Sequence, residues 1–175
     1  MKRLYFLRHA KSERPPGATD DFERGLNARG RRAAPDMGRY LRWQRLIPNF
    51  VLCSAARRAR ETWELVRGQL RTDVRAEFSE RLYLATSAQI LRLARELPEA
   101  ADSALLVGHN PGLQSAALQL VGGGEEAARA RLQSKFPTAA LAVVDFDIRY
   151  WRDLAPGSGR LERFVAPRDL DGRGS

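Results

Sequence analysis

Lys2-Arg3-Leu4-Tyr5-Phe6-Leu7-Arg8-His9-Ala10-Lys11-Ser12 decides how this chain is read. Its first half is a short apolar run rich in aromatics, the pattern of a buried strand. The run breaks at Arg8 and leaves an arginine, a histidine and a lysine at the strand's carboxyl end. Ligands bind at that end in open α/β sheets.

Two further stretches repeat the layout. Ser103-Ala104-Leu105-Leu106-Val107 is an apolar run followed by Gly108-His109-Asn110-Pro111-Gly112. Phe50-Val51-Leu52-Cys53 is another, ending in Ser54-Ala55-Ala56-Arg57-Arg58-Ala59-Arg60. A lone histidine after a strand is ordinarily a loop residue. The chain has 2 histidines, and both fall at strand ends beside arginines or a helix start. If the three strands lie side by side, His9, His109 and Arg58 converge with Arg8 on one cationic pocket.

The 175 residues suffice for one domain with a sizeable core, so a single domain over residues 1–175 is expected, with residues 169–175 as a frayed tail. Hydrophobic residues at 43% and charged residues at 29% fit a soluble globular chain. No apolar run approaches the roughly 20 residues of a membrane span, and Arg8 interrupts the first stretch too early for a signal peptide. A cytoplasmic location is the resulting expectation. The single cysteine, Cys53, cannot form an internal disulfide and lies within an apolar run, as a structural thiol would. The formal charge of +9 favours anionic partners such as phosphorylated substrates. It is spread along the chain as arginine, without a basic tail or a nucleic-acid-binding signature, so nucleic acid is disfavoured.

The remaining chain alternates helices with strands. Glu13 to Asp21 reads as a loop from its proline, glycine and acidic content. Asn27 is a plausible N-cap for a helix from Ala28 to about Trp43, in which Pro35 implies a kink or a late start. Ser54 is expected to cap a helix running to about Leu70. Arg58 in its first turn opposes the helix dipole and needs a compensating partner, such as a bound anion; Arg57 and Arg60 read as a solvated face. Val74 to Phe78 reads as a strand, Glu80 to Tyr83 as a loop and Ser87 to Leu97 as a helix. Asn110 and Pro111 read as the N-cap and first position of another helix, ended by Gly122-Gly123-Gly124. A short helix to Leu132 and strands within Thr138–Ile148 and Leu161–Val165 complete the pattern. The class is α/β.

A histidine can act as a general base, a metal ligand or a nucleophile toward phosphorus. Metal sites usually recruit three or more His, Cys or carboxylate ligands, and the arginines repel a cation, so no metal or cofactor is expected. No Gly-x-Ser-x-Gly elbow supports acyl transfer. Arginine's fork of donors suits phosphate oxygens. Such donors stabilise a transferring phosphoryl group while His9 attacks it and forms a phosphoimidazole that water then hydrolyses.

These residues resemble the histidine phosphatase superfamily, the phosphoglycerate-mutase-like fold, whose hallmark is Arg-His-Gly after the first strand. Here it is Arg8-His9-Ala10, with alanine for glycine. The chain is most similar to the small SixA-type phosphohistidine phosphatases, through Leu7 to Ser12, Asp21 to Gly30, Ser54 to Thr62, Val107 to Leu113, Lys135 to Ala142 and Phe164 to Leu170. The resemblance implies a three-layer sandwich with a mostly parallel mixed sheet between helices. It implies His9 as nucleophile, Arg8 and Arg58 as phosphoryl-binding groups and His109 as the second pocket histidine. Ala55 stands where the family usually has proline. Lys11 and Asn110, flanking these positions, are expected to contact substrate. Larger members use an acid to protonate the leaving alkoxide; Glu80 is the candidate here, with Asp20 and Asp21 behind it. An imidazole leaving group needs less such help.

The expected activity is a metal-independent phosphatase acting through a phosphohistidine intermediate, with a phosphohistidine-bearing protein as partner and a role in signal transduction. A phosphatase for small phosphomonoesters is one alternative. A non-catalytic module binding a phospho-ligand or nucleic acid is the other.

Overall fold

A computed structural model of the chain describes residues 1–15, 17 and 20–172. It contains strands β1 (Lys2–Arg8), β2 (Phe50–Ser54), β3 (Arg75–Ser79), β4 (Ser103–Gly108), β5 (Val121–Gly124), β6 (Leu141–Phe146) and β7 (Gly159–Val165). They form one sheet in the order β3-β2-β4-β1-β6-β7-β5. The β3–β2, β2–β4, β4–β1 and β5–β7 pairs are parallel, whereas β6 runs antiparallel to both β1 and β7. The helices are α1 (Ala28–Trp43), α2 (Arg57–Leu70), α3 (Ser87–Arg95), α4 (Gly112–Leu120) and α5 (Glu126–Ser134).

Alternation along the strands produces the three layers. Leu4 and Phe6 of β1 pack with Ile90, Leu113 and Leu132 from α3, α4 and α5. The intervening Tyr5 and Leu7 pack with Met37 and Leu41 of α1 and Trp63 and Val66 of α2. β1 is therefore apolar on both faces, which is why its sequence reads as a continuous apolar run. Each such side chain contributes roughly 1.5–3 kcal/mol when buried.

Asn27 caps α1 as expected, its side chain accepting from Gly30 N at 2.9 Å. Pro35 lies inside α1, which runs from Ala28 without the expected late start; it forgoes one backbone hydrogen bond there.

Three expected boundaries are corrected. Ser54 is the last residue of β2, and α2 starts later, behind Ala56, with no side-chain cap. α4 starts at Gly112, not at Pro111, and the Asn110 side chain donates to Phe136 O rather than capping the helix. The three glycines after α4 belong to β5, an edge strand on β7. Glycine suits that edge because Gly124 has φ +121° and a Cβ there would lie 2.5 Å from Leu161 O.

Glu80–Leu82 forms a 3₁₀ turn. Pro167–Asp169 forms another. Asp169 is held by Arg131 and Ala166 N at 2.5 and 2.8 Å, so the chain remains anchored at that point. Residues 173–175 of the expected tail lie outside the described residues, as do 16, 18 and 19 of the Glu13–Asp21 loop.

Candidate active site

The sheet order makes β2, β4 and β1 consecutive neighbours, so their carboxyl ends share one edge. Arg8 is in register with Gly108, and His9 N donates to Gly108 O at 3.1 Å. His9 and His109 are thus brought together, their ring centroids 5.2 Å apart. Arg58 enters from the first turn of α2, which follows β2.

Burial governs the two histidines. His9 is 7% exposed and His109 2%. Desolvation, reinforced by the neighbouring cationic groups, holds each imidazole down to a pKa of about 3. His9 Nδ1 lies 2.7 Å from Ala10 O. A carbonyl can only accept, so Nδ1 carries the proton of neutral His9 and Nε2 keeps its lone pair. His109 Nε2 lies 2.7 Å from Ser54 Oγ. Ser54 Oγ also accepts from Ala56 N at 3.3 Å, which leaves it a proton to give to His109 Nε2 and a lone pair to accept from it.

The arginines are held by groups distant in sequence. Arg8 Nη1 donates to Phe136 O at 2.9 Å. Arg58 is 2% exposed and donates to Asp21 O at 2.7 Å and Asp21 Oδ2 at 3.1 Å. Asp21 is thus the compensating partner that the placement of Arg58 demanded. Arg57 and Arg60 are exposed, as expected of a solvated face.

Among the described residues, four buried side-chain polar atoms lack a partner: Arg8 Nε, Arg58 Nε, His109 Nδ1 and Asn110 Oδ1. All four belong to residues singled out from the sequence. The two guanidinium nitrogens are donors, and buried donors are ordinarily satisfied. An anion accepting from them would meet that requirement.

The acid candidates fare differently. Glu80 is exposed at the start of its 3₁₀ turn, with no side-chain hydrogen bond among the described residues. Asp20 caps the turn at Asp21–Glu23 by accepting from Phe22 N. Asp21 accepts from Tyr83 Oη at 2.5 Å and from Arg24 Nη2 at 3.0 Å as well as from Arg58. The Tyr83 hydroxyl foremost, with the two arginines, holds its carboxyl down to about 2. It is an ionised anchor for Arg58. Lys11, two residues past His9, lines a cavity against α1 and α5. Burial pushes the Cys53 thiol up, in keeping with a structural role.

Sequence reasoning did not find Thr62, Tyr83, the role of Ser54 or the Phe136 carbonyl. Thr62 Oγ1 accepts from Ala10 N at 2.9 Å and donates to Arg58 O at 2.6 Å, joining the chain after His9 to α2. Tyr83 stands edge-on to His109 at 5.5 Å. Buried polar groups such as Ser54 and Thr62 leave no periodic signature, because their partners are set by tertiary contact.

No cluster of three or more potential metal ligands occurs among the described residues. No helix there is long and apolar enough to cross a membrane.

Comparison with known proteins agrees with this geometry. Residues 4–85 match the histidine phosphatase superfamily (branch 1). An uncharacterised protein of Mycobacterium leprae is 37% identical over 166 residues, covering 93% of this chain and all of the relative. The crystal structure of a protein from Agrobacterium tumefaciens assigned as the phosphohistidine phosphatase SixA superposes with a TM-score of 0.80 at 31% identity, covering 95% of this chain and 98% of the other. The protein histidine phosphatase SixA solved with tungstate has a TM-score of 0.77 at 24% identity, over 97% and 99% of the two chains, a likeness of fold. The chain belongs to the histidine phosphatase superfamily, branch 1, with the phosphoglycerate-mutase-like α/β fold.

Proposed function

We propose that the protein is a phosphatase that forms a covalent phosphohistidine intermediate on His9 and acts on protein-bound phosphohistidine. The observation that supports this most is the coincidence of unsatisfied buried donors on Arg8 and Arg58, and an unpartnered ring nitrogen on His109, with a neutral His9 whose Nε2 lone pair is unprotonated. The Nε2 lone pair forms the N–P bond as the bond from phosphorus to the leaving nitrogen breaks; its electron pair departs with that nitrogen, and the substrate ring, protonated on its other nitrogen, leaves as neutral imidazole. Arg8 and Arg58 take up charge on the equatorial oxygens. Water then attacks phosphorus, the N–P bond breaks, and inorganic phosphate leaves with His9 neutral again.

The acid candidates favour phosphohistidine over an alkyl phosphate. Asp21 is ionised and occupied, and Glu80 is exposed with no side-chain hydrogen bond among the described residues. An imidazole departs with less general-acid help than an alkoxide.

The test offers wild type and His9→Ala a phosphohistidine-bearing protein and an aryl phosphate, with labelled phosphate and an alkaline denaturing quench. Label on wild-type protein only, with faster release from phosphohistidine, is the expected result. Preferential aryl phosphate turnover would transfer the assignment to small phosphomonoesters. Unchanged release by His9→Ala would refute the intermediate.

A further inference from the structure

A cavity of about 320 Å³ lies beside the histidine pair, walled by the start of α1, the end of α5 and the turn after β7. Its volume falls at the lower end of the roughly 300–1,000 Å³ of small-molecule sites. Lys11, Arg29, Arg131, Lys135 and Arg168 line it, and no carboxylate does so among the described residues. Arg131 is neutralised by Asp169 at 2.5 Å. The other four cations make no side-chain hydrogen bond or ion pair among the described residues. Arg29, Lys135 and Arg168 are exposed, and Arg168 also acts on the Asp169 carboxylate; the concave surface still carries charge of one sign, which focuses the field on counter-ions.

The rest of the lining is apolar. Phe164, Pro137, Pro167 and two alanines form much of it. Ser134 and Thr138 add hydroxyls. The cavity belongs to different atoms from the phosphoryl pocket, although the two share a wall. Phe136 O holds Arg8 and Asn110, while its neighbours Lys135 and Pro137 line the cavity. Lys11 follows His9 by two residues, hence within about 7 Å along the backbone.

We infer that this cavity is a second anion site that takes a small oligophosphate, with the phosphates on Lys11, Arg29, Lys135 and Arg168. Four cations without an ion-paired carboxylate among the described residues match the three to four negative charges of a di- or triphosphate better than the one or two of a carboxylate ligand. Guanidinium forks suit phosphate oxygens. The apolar lining accommodates an organic group attached to the phosphates. The assignment stands whether or not the histidine pair hydrolyses phosphohistidine.

Calorimetry in a His9→Ala background, which prevents turnover, provides the test. The probes are inorganic tripolyphosphate and adenosine triphosphate without divalent metal. Both are expected to bind with Kd on the order of 100 μM or tighter. Adding Lys135→Glu with Arg168→Glu weakens binding at least about tenfold, whereas adding Arg58→Ala changes it less than about twofold. Lys135→Met with Arg168→Gln repeats the first comparison with less disturbance of folding, and thermal melts of each variant confirm the folded state. Tighter binding of adenosine triphosphate identifies an organic oligophosphate as the ligand, and equal binding identifies the inorganic chain. Binding lost with Arg58→Ala, or unchanged by both double substitutions, would place the probes in the phosphoryl pocket and overturn the inference. So would no binding of either probe at millimolar concentration.

Discussion

Acid should weaken this protein through His9, and the size of the effect follows from burial. The unfolded imidazole titrates near 6.5, the folded one near 3. Between these values the unfolded chain binds a proton that the folded chain refuses, so stability rises with pH across the window. The contribution of His9 is fully present above about 6.5 and is lost as the pH falls toward 3. Moving from pH 7 to pH 5 costs about 2 kcal/mol through this one group. His9→Gln keeps a polar side chain of similar reach but does not titrate. Its loss of stability over the same interval should therefore be smaller than that of wild type by about 2 kcal/mol. In thermal melts that is about 4–8 °C for a chain of this length. Denaturant unfolding of both proteins at pH 7 and pH 5 measures the difference directly. An equal loss in the two proteins would refute the argument, because it would mean that His9 accepts its proton in the folded state as readily as in the unfolded one.

The same burial shapes catalysis: kcat/KM for phosphohistidine hydrolysis should stay level from pH 7 to pH 5, since His9 remains neutral, and a midpoint at or above 6.5 would contradict it. Thr62→Val should cost roughly 1–3 kcal/mol in denaturant unfolding, because Ala10 N loses its buried acceptor, and should lower kcat more than KM by loosening His9. Asp21→Ala should reduce kcat/KM by at least about tenfold through the loss of the Arg58 anchor, with Asp21→Asn partly restoring it; equal rates in all three proteins would remove Asp21 from the site. Glu80→Gln should leave phosphohistidine hydrolysis within about twofold of wild type, and a collapse in steady-state assays would restore Glu80 as the acid.

Arg8, His9, Arg58 and His109 were legible in the sequence because each follows an apolar run, and the end of a run is a local signal. The same locality exposed Asn27 as a cap, the alternation of strands with helices, and thereby the α/β class. Local signals also misled. Ser54 precedes a helix and has a capping side chain, yet it ends β2 and serves His109, 55 positions away. Asn110 before Pro111 has the form of a helix start, but its amide reaches across to Phe136 O.

What the sequence by itself determined was which segments bury on both faces and which residues stand at their ends, since burial pattern is written in the spacing of neighbours. Only the tertiary structure decided that β2, β4 and β1 adjoin and so bring the two histidines within 5.2 Å. It alone placed Asp21 on Arg58, Thr62 on Ala10 and Phe136 O on Arg8. Those partners lie 37, 52 and 128 positions apart, and hydrogen bonds between buried groups are satisfied by proximity in space, for which no spacing along the chain is a code.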